Sequence, residues 1–448
     1  MALTARDAAI KALASMRRQN DFSNRVLDTM LKADAVLPRD RALATRLFYG
    51  VVERMITLDA VLAHCSSVSL KKMHPTVLDI LRVGAYQLLF MDAIPDSAAV
   101  NEAVNQTKRY GQERASRFVN GVLRGVQRKG AAFLADLPDT PDGRAIKYAC
   151  PTPLQQLWQA GYGDEIAERL MQHINDIPAV SLRVNRVRAD ADTVSRHLAQ
   201  SGIEATPSPL VPDAFTVVGG VDGEALAAYN ENWYYHQDIA SQICCAALDA
   251  KPGDRIADVC AAPGGKSFTL AQYIGDDGYV LSCDIQPQKC DDMAERAAML
   301  GIRTVHTAVR DGSKPCPEAL RGMFDRVLCD VPCSGLGVIR RKPEIRHKPM
   351  DEINALPDLQ YRILEQSADM VKSGGTLQYS TCTLNPAENE QVVRRFLDNH
   401  PEFSPRILPI AAVFERYGAQ PSWQITLFPF DGETDGFFIA GMVKEVTV

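Results

Sequence analysis

From about residue 251 onward, short apolar runs alternate with helical stretches, and run after run ends in a glycine, an aspartate or a cysteine. The expected strands are RIADVCA (255–261), YVLSCDI (279–285), TVHTAV (304–309), FDRVLCDVP (324–332) and GTLQYSTC (375–382). Helices are expected between them, at KSFTLAQYI (266–274), PQKCDDMAERAAML (287–300) and NALPDLQYRILEQSADMV (354–371). Continuous apolar strands separated by helices require a sheet covered on both faces, which is a doubly wound, mostly parallel α/β sheet. In such a sheet the strand ends share one edge, and ligands bind there.

The rest of the chain reads differently. The first ~130 residues carry only helical periodicity: Ala8, Leu13 and Met16 fall near one face, and Leu43, Leu47, Val51 and Met55 recur every four residues. A helical bundle is expected over 1–140. The stretch 131–150, with DLPDTPDGR, reads as a linker. A small α+β unit is expected within 141–235, from a helix (GDEIAERLMQHIN), a strand (AVSLRVN), a helix (ADTVSRHLAQSG) and a strand (AFTVV). YYHQDIASQICCAALD reads as a helix leading into the third region, 236–448.

Charge divides along the same line. Residues 1–130 hold 20 Lys+Arg against 12 Asp+Glu, a balance of +8, and the remainder holds 29 against 43, a balance of −14. A basic head on an acidic body suits a polyanionic partner. No apolar run approaches the ~20 residues needed to span a bilayer. The opening MALTARDAAIKALASMRRQND lacks the apolar core of a signal peptide, so a cytoplasmic location is expected. The eleven cysteines include no C-x-x-C pair, which gives no support to a zinc or thioredoxin-like site, and most should be small buried hydrophobes.

Three segments carry the chemistry. In DVCAAPGGKS (258–267), Gly264 and Gly265 open a helix at the end of the first strand, where backbone can approach a ligand closely. The loop is neither a Walker nor a dinucleotide fingerprint. Asp284 ends the second strand, where an acid holds ribose hydroxyls in Rossmann-like sheets, and Asp311 follows the third. Each alone reads more readily as a loop or cap residue, and it is three consecutive strand ends bearing glycines, Asp and Asp that favour a nucleoside ligand. In DVPCSGLGVIRRKPEIR (330–346), Asp330 and Cys333 should reach the same edge, followed by Arg340, Arg341, Lys342, Arg346 and then Lys348, a basic run that is either a solvated face or a phosphate site. YSTCTLNPAENE (379–390) brings Cys382 to that edge too.

These three segments, in this order, resemble the signature motifs of S-adenosylmethionine-dependent RNA cytosine-5 methyltransferases. FYGVVERMITLDAVL (48–62), LRVGAYQLLFMDAIP (81–95) and RFVNGVLR (117–124) further resemble the NusB-like RNA-binding domain of one bacterial branch, the RsmB type, also called Sun or Fmu. LRVN (182–185), QDIASQ (237–242) and DGFFIA (435–440) match the same branch, so the resemblance covers nearly the whole chain. It implies an all-α NusB-like bundle, a small α+β unit and a Rossmann-like α/β methyltransferase domain. It further implies methylation of one cytosine of 16S ribosomal RNA, cytosine 967. Cys260, Ala261, Ala262, Pro263, Gly264, Gly265 and Lys266 would line the S-adenosyl-L-methionine site. Asp284 would take the ribose hydroxyls, Asp311 would lie by the adenine, and Asp330 would lie between cofactor and target base. Cys382 would be the nucleophile and Cys333 would help release the product. The implied partner is 16S ribosomal RNA, free or in early assembly, with the enzyme a monomer and neither metal nor membrane involved. The chain departs from the family at PTPLQQLW (151–158), where Pro-x-Trp-Leu is common.

The chemistry itself asks for these residue types. Carbon 5 of cytosine attacks a methyl sulfonium poorly. A thiolate added to carbon 6 makes carbon 5 a carbanion equivalent, and cysteine is partly ionised and intrinsically nucleophilic near neutral pH. Asp330 can offset charge near ring nitrogen 3, or donate there if protonated. The target base must leave its stack or come from a loop. Three other readings stand beside this one: a DNA cytosine-5 enzyme with its nucleophile in the Pro332-Cys333 motif, a transfer RNA substrate, and a catalytically silent assembly scaffold.

Overall fold

The computed structural model describes residues 3–19, 23–32, 36–217, 232–431 and 433–446. Val218, the last residue of the expected AFTVV strand, lies outside them, as do residues 219–231 of the expected small unit. The chain forms two compact units: residues 1–176 with 339–348, and residues 177–338 with 349–448.

The first unit is helical. Its helices run over Ala5–Gln19, Ser23–Lys32, Pro38–Glu53, Met55–Cys65, Pro75–Phe90, Asp96–Arg109, Ser116–Ala135 and Pro141–Tyr148, then over Thr152–His173 with a break at Gly163. The four-residue recurrence from Leu43 to Met55 crosses two helices, because Arg54 leaves helical geometry between them. Part of the expected linker is helical too: Pro141 sits at the first helical position and the Thr140 hydroxyl accepts from the Gly143 N–H at 3.1 Å, a complete start signal. The displaced Trp158 is buried in this unit.

The basic run also changes meaning. Arg340 and Arg346 are buried. The Arg346 guanidinium donates to the carbonyls of Glu53 (2.7 Å) and Ala149 (3.0 Å) and to Asn175 Oδ1 (2.8 Å). Burial lowers its pKa to about 10, so it stays charged at neutral pH. A guanidinium spent on helix-end carbonyls is a structural tie, and the reading of this run as a phosphate site fails at Arg346.

The second unit holds two sheets. The smaller is antiparallel, ordered β2-β3-β1-β4, with β1 Val180–Val184, β2 Ala205–Pro207, β3 Ala214–Val217 and β4 Tyr234–His236. A helix over Ala191–Gln200 packs with it, started by Asp190, whose Oδ1 accepts from the Thr193 N–H at 2.7 Å. Residues expected as the start of a helix, Tyr234–His236, are β4 instead, paired with β1. The helix begins only at Ile239, where the Asp238 carboxylate caps the Ala240 N–H.

The larger sheet has the order β10-β12-β9-β8-β5-β6-β7, with β11 also pairing β12. Its strands are β5 Arg255–Asp258, β6 Tyr279–Asp284, β7 Val305–Val309, β8 Phe324–Asp330, β9 Val371–Thr381, β10 Phe403–Pro405, β11 Gln424–Leu427 and β12 Phe437–Lys444. The strands β5 to β9 are mutually parallel, and β10, β11 and β12 add an antiparallel edge. Strand order runs one way from β5 through β6 to β7 and the other way from β8 to β9. The reversal between β5 and β8 is a topological switch point, where a crevice opens beyond the strand ends. Among the described residues no helix is long and apolar enough to cross a membrane.

Candidate active site

The loop after β5 is shaped by backbone rather than by side chains. The Ala261 N–H donates to the Cys283 carbonyl at 2.8 Å and the Gly264 N–H to the Ala261 carbonyl at 2.7 Å. Gly264 has φ +103°, and a Cβ there would lie 2.5 Å from the Phe268 ring, so glycine is required. The helix Gly265–Ile274 starts without a side-chain cap, so its first N–H groups remain for a ligand. Gln237 packs at 3.6 Å from the Cβ position of Gly265. Its buried Nε2 has no hydrogen-bond partner. An uncapped helix start beside an orphaned amide donor fits a ligand that carries a carboxylate, as S-adenosylmethionine does. Gln237, inside QDIASQ, was not among the candidates read from the sequence.

Asp284 ends β6, with Oδ1 accepting from the Gln286 N–H at 3.0 Å and lying 4.0 Å from the Lys289 ammonium. Its neighbour Ile285 is 60% exposed, and Val309 at the end of β7 is 57% exposed. Two bare apolar side chains on neighbouring strand ends suit the faces of a flat ring. Asp311 closes its own turn, where Oδ1 accepts from the Ser313 N–H (3.0 Å) and hydroxyl (2.6 Å), and these bonds lower its pKa.

At the switch point Lys266 donates to Asp330 Oδ2 at 2.7 Å, and the Ser380 hydroxyl donates to Asp330 Oδ1 at 2.8 Å. Burial opposes the lysine charge, but Asp330 outweighs it and holds Lys266 protonated above its usual range. With both oxygens accepting, Asp330 is presented as an acceptor and not as a donor. Asp258, wholly buried at the end of β5, accepts from the Ser267 hydroxyl at 2.7 Å. Burial and, less, the nearby Asp330 charge push its pKa up to about 7.

Cys333 and Cys382 meet. Their sulfurs are 3.3 Å apart. The Cys382 carbonyl accepts from the Gly337 N–H at 3.0 Å, and a Cβ on Gly337 would sit 2.0 Å from the Gly436 carbonyl oxygen. The glycines of SGLG and DGFFIA thus let the two loops close over each other. The bond to Cys382, then burial, then the charges of Cys382, Glu388 and Asp330 raise the Cys333 pKa well above its ordinary value, so Cys333 stays a neutral thiol. Cys260 is likewise pushed well up, first by burial. None of the eleven cysteines is in a disulfide, and seven are buried; Cys260, Cys333 and Cys382 are among the four that are only partly covered, desolvated but still reachable at one side. No cluster of metal-ligating side chains exists among the described residues.

Comparison with known proteins follows the same layout. Residues 245–443 match the family model 16S rRNA methyltransferase RsmB/F, residues 3–128 the NusB family, and residues 150–223 the ferredoxin-like domain of RsmF/B-like methyltransferases. The probable ribosomal RNA small subunit methyltransferase B of Bacillus subtilis is 35% identical over 447 residues, covering 98% of each chain. The chain belongs to the 16S rRNA methyltransferase RsmB/F family. The ribosomal RNA small subunit methyltransferase B of Citrobacter koseri is 31% identical, with 98% of this chain and 99% of that one covered. The crystal structure of PH0851 superposes with a TM-score of 0.81 at 27% identity, covering 99% of this chain and 100% of that one. RsmB/F enzymes depend on S-adenosylmethionine.

Proposed function

We propose that the protein methylates carbon 5 of one cytosine of 16S ribosomal RNA, cytosine 967, through a covalent adduct with Cys382. The observation that carries this reading is the contact between two cysteine sulfurs at the switch point, 3.3 Å apart, beside a lysine–aspartate pair. S-adenosylmethionine supplies an electrophilic methyl group. Cys260 through Lys266 shape its site, with Asp284 at the ribose and Asp311 near the base. The Cys382 sulfur adds to ring carbon 6 and makes carbon 5 nucleophilic. Asp330, fixed as an acceptor by Lys266 and Ser380, orients the ring edge. After methylation the carbon 5 proton must leave before carbon 6 can expel the Cys382 sulfur. That proton passes to solvent water, the carbon 5–carbon 6 double bond re-forms, and Cys382 leaves as a thiolate; Cys333, a neutral thiol at 3.3 Å, helps release by donating a hydrogen bond to the departing sulfur.

The three regions 1–140, 141–235 and 236–448 then serve as RNA-binding, connecting and catalytic modules of a cytoplasmic monomer acting on free or early-assembly RNA. Bisulfite sequencing of ribosomal and transfer RNA from cells with and without the gene tests the reading. One 16S cytosine should lose its methyl mark in the deletion and regain it on complementation. A mark lost from transfer RNA instead, or no mark lost at all, contradicts it.

A further inference from the structure

Glu388 is a buried carboxylate, 0% exposed, that the reaction does not call for. Neutral donors surround it. Oε1 accepts from the Ser334 hydroxyl (2.5 Å) and the Asn385 amide (2.9 Å); Oε2 accepts from the Ser334 N–H (2.8 Å) and the Gln360 amide (2.9 Å). Burying a carboxylate is costly even when it is well bonded, and apolar replacement of buried charges is often neutral or stabilising. Stability alone is therefore a poor reason for a charge here.

Its partners point to another reason. Ser334 follows Cys333 in the chain, and Thr383 follows Cys382. Their hydroxyls bond each other at 2.6 Å, and Thr383 Oγ1 lies 3.5 Å from Glu388 Oε1. Gln360, held by Glu388, also donates to the carbonyl of Pro332, on the other side of Cys333, at 3.0 Å. Asn389, the next residue, brackets Cys382: its Oδ1 accepts from Thr381 (2.6 Å) and its Nδ2 donates to the Thr383 carbonyl (3.0 Å). Both cysteines are thus gripped on both sides, and the two grips meet at one carboxylate.

We propose that Glu388 is the positioning residue of the cysteine pair: it locks the loops of Cys333 and Cys382 together so that their sulfurs touch. What the pair does in catalysis rests on the function proposed above; what Glu388 does to the pair does not. The charge of Glu388 is one of the causes that raise Cys333, and the bond to Cys382 that Glu388 stabilises is the largest. A glutamine in its place is close in shape but uncharged. It also sets an NH2 group against the donors that now share the carboxylate, so the clamp loosens.

The test uses the full chain with Glu388→Gln and, as a gentler cut in the same clamp, Ser334→Ala. The first readout is independent of the reaction: initial rates of iodoacetamide alkylation at Cys333 against pH, read by peptide mass spectrometry. Glu388→Gln should move the rise in Cys333 alkylation down by about one pH unit. The second readout is turnover: kcat should fall at least about tenfold with the KM for RNA little changed, and RNA attached to Cys382 should accumulate. Unchanged affinity for S-adenosylmethionine reports an intact fold. Ser334→Ala should shift both readouts the same way by less. If the alkylation profile and turnover of both variants match the wild type, the proposal is overturned. It is equally overturned if Glu388→Gln unfolds while Ser334→Ala behaves as wild type, because Glu388 is then only structural. A shifted profile in a protein that never attaches RNA upholds the role of Glu388 and removes the proposed reaction.

Discussion

The two halves of the carboxyl edge are built in opposite ways. At the ends of β6 and β7, Asp284 and Asp311 bond within two residues of themselves, and Ile285 and Val309 stand bare. At the ends of β8 and β9, Cys333 and Cys382 sit in a web that ties together segments 28 to 54 residues apart in sequence, through Glu388, Gln360, Ser334 and Thr383. A site that only binds can be assembled from local turns and open apolar surface. A site that holds two sulfurs in contact must fix them closely, and small misplacements of reacting groups cost large factors in rate.

That contrast predicts effects of different size and kind. The largest belongs to the crowded half. Cys382→Ala should lose methylation by about a thousandfold or more while still binding RNA and S-adenosylmethionine, measured by methyl incorporation and equilibrium binding. Residual turnover near wild type would break the distinction. In the open half, Asp284→Ala should weaken S-adenosylmethionine binding by roughly 1.5–3 kcal/mol, at least about tenfold in Kd, with methylation restored at saturating cofactor. Calorimetry showing an unaltered Kd in a folded protein would take Asp284 out of the site.

The smallest effect sits between the halves, at Asp258. Its folded pKa of about 7 lies above an unfolded value near 3.9. The stability it contributes as a neutral group is therefore complete below about pH 4 and is lost as pH rises toward 7, because the unfolded chain releases the proton first. Asp258→Asn does not titrate. Relative to wild type it should gain roughly 1–2 kcal/mol of stability between pH 5 and pH 6.5, read by denaturant titration. Parallel pH curves for the two proteins would show that Asp258 is not held neutral.

The open half was the more legible in the sequence, and the contrast explains why. Apolar runs locate these strand ends to within three residues, since the expected strands run on to Ala261, Ile285 and Pro332 where β5, β6 and β8 stop at Asp258, Asp284 and Asp330, and the doubly wound sheet follows from alternation. The position of Cys333 and Cys382 at one edge also follows, but their contact depends on loops closing at Gly337 and Gly436, which no spacing reveals. Glu388 lies inside a recognised motif without an assigned part, because its partners Ser334 and Gln360 come from other segments of the chain. Tyr234–His236 was misread because a three-residue strand running into a helix shows no alternation of its own. Arg340 and Arg346 look like solvent-facing charges until the helix-end carbonyls that Arg346 caps are brought near by the fold.

The most direct test of the two-cysteine account is the Cys333→Ala protein mixed with 16S ribosomal RNA and S-adenosylmethionine, denatured, run on a gel and mapped by mass spectrometry. The account predicts a protein–RNA species that survives denaturation, carries one methylated cytosine and is joined through Cys382. Normal turnover of Cys333→Ala, together with an adduct that accumulates at Cys333 in Cys382→Ala, would reverse the two roles and contradict it.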